Sequence, residues 1–69
     1  MKIKYDKVTD SLYIDLNRGV YEKSRKITES VVVDVSKEGK VLGIEILEAS
    51  RTIAQFDPTN PKSVSISSA

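Results

Sequence analysis

The chain has 69 residues, a net charge of +1, and neither cysteine nor histidine. A chain of this length forms at most one small domain. Without cysteine and histidine, one chain cannot form a disulfide, a Ser-His-Asp triad, a Cys-His pair or a Cys/His zinc site. Carboxylates, lysine, tyrosine and hydroxyls remain, and the metal sites still open are oxygen-ligated ones for ions such as magnesium or calcium.

The sequence predicts a cytoplasmic protein that is not inserted in a membrane. No apolar run approaches the ~18–20 residues that a membrane span needs. The first ten residues, MKIKYDKVTD, lack the apolar region of a secretory signal. The absence of cysteine is in keeping with a reducing compartment.

The charges are unevenly spread along the chain. Residues 1–27 carry seven basic and four acidic groups, whereas residues 28–57 carry three basic and six acidic groups. Nucleic-acid binding domains show a basic footprint over the whole domain, so this division disfavours nucleic acid as a partner. A local basic patch remains a candidate, and it comprises Arg18, Lys23, Arg25 and Lys26.

Two segments near the start alternate apolar and polar residues, which is typical of strands. They cover residues 2–5 and 11–16. Pairing Tyr5 with Leu12 places the inward faces of both strands together and leaves residues 7–10 as a four-residue loop.

A third strand is predicted over residues 20–27, between turn signals at 17–19 and 28–30. Apolar and polar residues alternate poorly along this strand, which is expected to be exposed and charged. The run Lys23–Lys26 could bind phosphate, but it is more typical of a charged edge strand that prevents aggregation.

Residues 31–35 and 41–47 predict a fourth and a fifth strand. Their apolar residues share a face if Val33 lies opposite Leu42, which makes residues 36–39 a four-residue loop.

Gly39 ends this loop and is expected to have a positive φ, which glycine adopts at no steric cost. A three-residue loop would reverse the parity of the two strands unless a bulge at Gly43 restored it. The pattern favours the four-residue loop and leaves the alternative open.

A short helix over residues 50–56 follows, with Ser50 as its N-cap and Pro58 after its end. The Ser/Pro-rich tail, residues 57–69, is expected to be disordered. The alternation of Val64 and Ile66 leaves an additional docked strand as an alternative.

These elements predict an α+β protein, an antiparallel β-meander of four to five strands with one short C-terminal helix packed on the sheet. The single domain covers residues 1–56. The expected core is Ile3, Tyr5, Leu12, Ile14, Leu16, Val31, Val33, Val35, Leu42, Ile44, Ile46, Ile53 and Phe56.

Several residues are predicted to point to the opposite face of the sheet, where apolar groups are unusual because that face meets water. In the favoured register Gly43 lies opposite Val32, and its lack of a side chain leaves room for another group to approach this face closely. Because so small a monomer is marginally stable, we expect a second subunit to cover this face, with a dimer favoured. The candidate surface comprises Tyr13, Val32, Asp34, Val41, Gly43, Glu45 and Leu47.

The carboxylates offer the main chemical alternatives. Asp6 and Asp10 could hold a metal ion with Asp15 or Glu45, but capping of loop amides is the favoured role for both. Asp34 and Glu45 could form an acid/base pair on the outward face, where a solvated sheet surface is the favoured interpretation.

Two segments together resemble a known family. YDKVTDSLYIDL at residues 5–16 and VVVDVSKEGKVLGIEILEAS at residues 31–50 are similar to the small prokaryotic proteins of domain of unknown function 2283. The resemblance covers residues 2–53. It implies a β-meander with one helix, supplies no catalytic residues, and associates some members with small antitoxin-like partners of toxin proteins.

From this sequence we expect a non-enzymatic protein-interaction module that self-associates, with no cofactor, and for which antitoxin-like binding of a partner protein is the concrete version. It would work through its outward face or its third strand. A carboxylate-based metal-binding protein or small enzyme, and a weak nucleic-acid binder, are the alternatives.

Overall fold

The computed structural model describes residues 1–57, 59 and 60, and in it five antiparallel strands form one sheet with one helical turn beside it. This confirms the predicted α+β class. The elements are β1 (Lys2–Asp6), β2 (Ser11–Asp15), β3 (Tyr21–Thr28), β4 (Val31–Ser36), β5 (Val41–Ile46) and α1 (Ala49–Thr52).

The first hairpin has the predicted register and loop. Tyr5 lies opposite Leu12, Ile3 lies opposite Ile14, and residues 7–10 connect the two strands. The alternation of apolar residues predicts this register correctly because burial alternates along β2: Leu12 and Ile14 are buried, while their neighbours are half-buried.

The order of the strands in the sheet is β1-β2-β5-β4-β3. A hairpin (β1-β2) and a three-stranded meander (β3-β4-β5) therefore lie side by side, and the pairing of β2 with β5 joins them. Residues 16–20, the crossover segment, lead from β2 to the far edge of the sheet. The backbone amides of Leu16 and Asn17 donate to the carbonyl of Leu42 at 2.8 and 3.0 Å, which fastens this segment to β5.

The predicted register of β4 against β5 is wrong. Val33 lies opposite Ile44 rather than Leu42, and Val31 lies opposite Ile46. The connecting loop has three residues, because the Ser36 amide donates to the carbonyl of Lys40 at 2.9 Å. The three-residue loop with a bulge, the open alternative of the sequence, is therefore the correct one, although the bulge is not at the predicted Gly43.

The bulge lies at Leu42. Asp34 pairs with Gly43 and Val35 pairs with Val41, so Leu42 has no residue opposite it on β4. Val41 consequently shares the face of Val35, and its predicted outward position is wrong. Gly43 lies opposite Asp34, which corrects its predicted position opposite Val32.

Leu42 itself is buried under the crossover segment, away from the apolar residues with which it was predicted to align. A Cβ added to Gly19 would lie 2.9 Å from Leu42 Cδ2 and 3.2 Å from Ser36 Cβ, so the segment passes close over both residues. Leu42 is 8% exposed and Ser36 1%. Gly39 has φ of +87°, and the predicted positive φ is confirmed.

One side of the sheet, here called the core face, carries the apolar residues. Leu12 and Ile14 are its buried members, and most of the others are half-buried. Its members, set by the pairing of the strands, are Ile3, Tyr5, Leu12, Ile14, Val31, Val33, Val35, Val41, Ile44 and Ile46. Leu16, predicted in the core, is 39% exposed because it lies in the crossover segment beyond the end of β2.

The helix is shorter than predicted and is capped differently. Its N-cap is Glu48, in a left-handed conformation and without a side-chain bond, so the prediction of Ser50 as N-cap is wrong. Helix α1 spans four residues, and Ile53 after it is extended. The ring of Phe56 packs edge-on against Tyr5, with ring centroids 5.0 Å apart, so Phe56 covers the core face at Tyr5.

The predictions made for Pro58, for the extra strand and for most of the tail fall outside the described residues. Within the described part of the chain, no helix is long and apolar enough to cross a membrane.

Candidate interaction surface

The outward face brings together most of the residues that the sequence placed there. Tyr13, Glu45 and Val32 lie side by side on neighbouring strands, and Gly43 and Asp34 form the next row. Leu47 follows β5 in the chain, and its amide donates to the carbonyl of Ser30 at 2.8 Å. Val41 lies on the core face, as described above.

A hydrogen-bonded group on this face, the tyrosine cluster, comprises Tyr13, Tyr21, Ser24 and Asp34. The Tyr13 hydroxyl donates to Asp34 Oδ2 at 3.1 Å, and the Ser24 hydroxyl donates to Asp34 Oδ1 at 2.7 Å. The hydroxyls of Tyr21 and Ser24 are 2.8 Å apart. Both carboxylate oxygens of Asp34 therefore have partners, whereas Glu45 makes no side-chain hydrogen bond in the described chain.

Tyr13 reaches Asp34 because its ring lies across Gly43. A Cβ at position 43 would overlap the Tyr13 ring and hydroxyl and would lie 2.9 Å from the carbonyl oxygen of Ile14. Burial, together with the bond to Asp34, raises the pKa of Tyr13. Sequence reasoning selected Tyr13, Asp34 and Gly43 but missed their interaction, because the predicted register placed Gly43 opposite Val32.

The two loop carboxylates have different partners. Asp6 accepts a hydrogen bond from the Val8 amide at 2.9 Å, which confirms its predicted capping role. Asp10 instead accepts bonds from the Tyr5 hydroxyl and the Ser50 hydroxyl, both at 2.6 Å, and from the Ser50 amide. Its prediction as a cap of loop amides is wrong.

Asp10 thus holds the first turn of α1 against the first hairpin, since its backbone carbonyl also accepts the Ala49 amide at 2.7 Å. The hydrogen bonds from Ser50 and then Tyr5 lower the pKa of Asp10. Among the described residues, no three acidic side chains lie close enough together to hold a metal ion.

The predicted basic patch is divided between different parts of the surface. Lys23 and Arg25 lie on the core-face side of β3, opposite Val35 and Val33. Lys26 makes a 3.3 Å ion pair with Glu29. Arg18 lies in the crossover segment, where it lines a separate depression with Asp15, Asn17 and other residues.

The uncovered end of the core face forms an open groove of about 670 Å³. We call it the valine groove, and its apolar floor is formed by Ile27, Val33, Val35 and Val41. Ile27 is 60% exposed and Val41 37%. Its charged lining residues are Glu22, Lys23, Arg25, Lys26 and Lys37.

Sequence reasoning missed this groove for two reasons. The bulge at Leu42 turns Val41 onto the core face, and two further register shifts in β3, between Tyr21 and Lys23 and between Lys26 and Thr28, interrupt the alternation of that strand. The weak pattern of residues 20–27 was the signal available in the sequence. The groove adjoins β3, which is an edge strand in which every residue is exposed.

Comparisons with known proteins support a family but not an activity. The family model described as "Protein of unknown function (DUF2283)" matches residues 2–50 of the chain. No curated protein and no solved structure matches the chain.

Proposed function

Since the chain belongs to a protein family of unknown function, we propose its role from its own geometry: a protein-interaction module that binds through the valine groove. The observation that carries this proposal is the incomplete cover of the core face. Phe56 packs on Tyr5, and α1 is hydrogen-bonded to Asp10 at the end of the first hairpin, while the aliphatic floor of the groove stays open.

Two physical arguments connect an open groove with binding. Contiguous exposed apolar surface is unfavourable in water and commonly marks an interaction site. Strand β3 beside the groove is also an edge strand, and the unpaired backbone groups of an edge can add a strand from another chain. A partner in the groove would therefore find apolar contacts and backbone hydrogen bonds next to each other.

The proposal assigns no catalytic residue and no cofactor. Of the two surfaces expected from the sequence, it uses the third strand and not the outward face, where Tyr13 and Asp34 bond to each other. Self-association as a dimer, a cytoplasmic location and a prokaryotic source stay predictions.

Site-specific photocrosslinking in the cells that express the protein tests the proposal. The photoreactive residue p-benzoylphenylalanine replaces Ile27 in the groove or, as a matched control, Val8 in the first hairpin loop, which is 94% exposed. We expect one discrete heavier adduct from position 27 and none from position 8. An adduct of twice the chain mass would identify a second copy as the occupant.

Circular dichroism of both crosslinking variants establishes that they are folded. If position 27 gives no adduct, or if both positions give the same set of adducts, the groove is not a binding site and the proposal is wrong.

A further inference from the structure

We propose that the occupant of the valine groove is an extended, acidic and aliphatic segment of a different protein. This inference rests on the function proposed above and adds the chemistry of the partner. It follows from the charges at the groove, from the composition of its floor, and from the poor fit of a second copy.

The charges lining the groove are mostly basic and mostly unpaired. In the part of the chain that the structure describes, five charged residues line it, and Glu22 is the single acidic one. Lys26 has Glu29 as its partner, but the charged groups of Lys23, Arg25 and Lys37 have no acidic partner among the described residues. A partner that brings carboxylates would supply the opposite charge, which favours both association rate and specificity.

The floor of the groove indicates a protein segment rather than nucleic acid. It consists of isoleucine and valine side chains, and none of the described residues that line it is aromatic. Proteins that bind single-stranded nucleic acid stack bases on aromatic side chains, and aliphatic residues offer no such stacking surface. Aliphatic side chains of a partner, in contrast, would bury apolar area against Val33, Val35 and Val41.

A second copy fits the groove poorly. Docking two grooves face to face would bring Lys23 and Arg25 of one copy to the basic lining of the other, and juxtaposed like charges oppose binding. The rest of the core face offers no carboxylate, because its members are apolar except for Tyr5. A different, acidic chain is therefore the better complement.

Selection from a displayed library of random peptides, each about twelve residues long, tests the inference on the purified full chain. We expect the enriched peptides to combine aliphatic residues with a net negative charge. Fluorescence anisotropy of the strongest binder then compares the wild type with a Lys23→Glu/Arg25→Glu variant. Its affinity should fall by about tenfold or more in that variant.

The matched control is Lys2→Glu/Lys4→Glu, which makes the same change in net charge at the opposite edge strand, on the outward face. Its affinity for the peptide should be within about twofold of that of the wild type. A general effect of net charge would instead lower the affinity of both variants equally. Enrichment of basic, neutral or aromatic peptides, or no enrichment, would overturn the inference. Tighter binding of a labelled oligothymidine, or a groove-dependent dimer in light scattering, would also overturn it.

An Ile27→Ser variant separates failure of this inference from failure of the proposed function. If the enriched peptides lose affinity in Ile27→Ser but are not acidic, the groove binds and only the partner chemistry is wrong. If acidic peptides bind equally well to Ile27→Ser, they bind elsewhere and both proposals fail. Val8→Ser is its control, since it removes an exposed aliphatic side chain outside the groove.

Discussion

Replacing Gly43 by alanine is expected to destabilise the sheet through the Tyr13 ring. The backbone at Gly43 is not in the left-handed region, so alanine meets no conformational penalty there and even reduces the freedom of the unfolded chain. The added Cβ would, however, overlap the ring and hydroxyl of Tyr13 and lie 2.9 Å from the Ile14 carbonyl oxygen. The ring must move, and its bond to Asp34 is then lost.

The magnitude follows from these two effects. Overpacking by one methyl group costs typically 1–3 kcal/mol, and loss of a hydrogen bond to a charged group adds on the order of 1 kcal/mol for a half-buried pair. After the favourable effect on the unfolded chain, we expect a net loss of about 2 kcal/mol in the free energy of unfolding. For a domain of this size, that corresponds to a melting temperature lower by roughly 8–16 °C.

Urea and thermal unfolding followed by circular dichroism measure this loss, and a double-mutant cycle identifies its source. In a Tyr13→Ala background the ring is absent, so Gly43→Ala should cost at least about 1 kcal/mol less than in the wild type. Tyr13→Phe removes the bond to Asp34 alone, and it should reproduce the smaller part of the loss in the free energy of unfolding caused by Gly43→Ala. An equal cost of Gly43→Ala in both backgrounds would refute the assignment to the ring.

Three further predictions concern Asp10 and Gly39. Asp10→Asn should lower the melting temperature more than Asp6→Asn, because the Asp10 carboxylate joins the first hairpin to α1. Since the pKa of Asp10 is lowered in the folded protein, its stabilisation is complete above the unfolded value of about 3.9 and is lost as the pH falls through the folded value. Thermal unfolding from pH 7 to pH 2 should therefore show the difference between wild type and Asp10→Asn narrowing below about pH 4, and a constant difference would contradict it. At Gly39, where φ is +87° and space is open, alanine should cost about 1 kcal/mol in urea unfolding and asparagine less, whereas equal costs would contradict the conformational explanation.

The sequence was sufficient wherever alternation ran without interruption. In the first hairpin, the apolar residues of both strands follow a period of two, and the predicted pairing of Tyr5 with Leu12 is confirmed. Counting alternate residues assigns the wrong face of the sheet beyond a bulge, because one extra residue reverses the alternation there. The apolar Leu42 hid the bulge by continuing the pattern of Ile44 and Ile46.

The tyrosine cluster of the outward face was harder to predict because it depends on pairing between distant strands. Asp34 and Tyr13 were both selected from the sequence, but Ser24 and Tyr21 join them only through the pairing of β3 with β4. Likewise, Ser50 looked like an ordinary N-cap, and the residue that binds its amide and hydroxyl, Asp10, lies far away in the sequence. Local patterns do not contain such long-range partners.

The order of the strands has a consequence for the kinetics of folding. The hairpin β1-β2 and the meander β3-β4-β5 can each form through contacts between neighbours in the chain, which are fast to make. The pairing of β2 with β5 is different, because it closes a loop that contains β3 and β4. Closing this loop costs entropy before Leu12 and Ile46 come into register. The pairing of β2 with β5 is therefore expected to limit the folding rate.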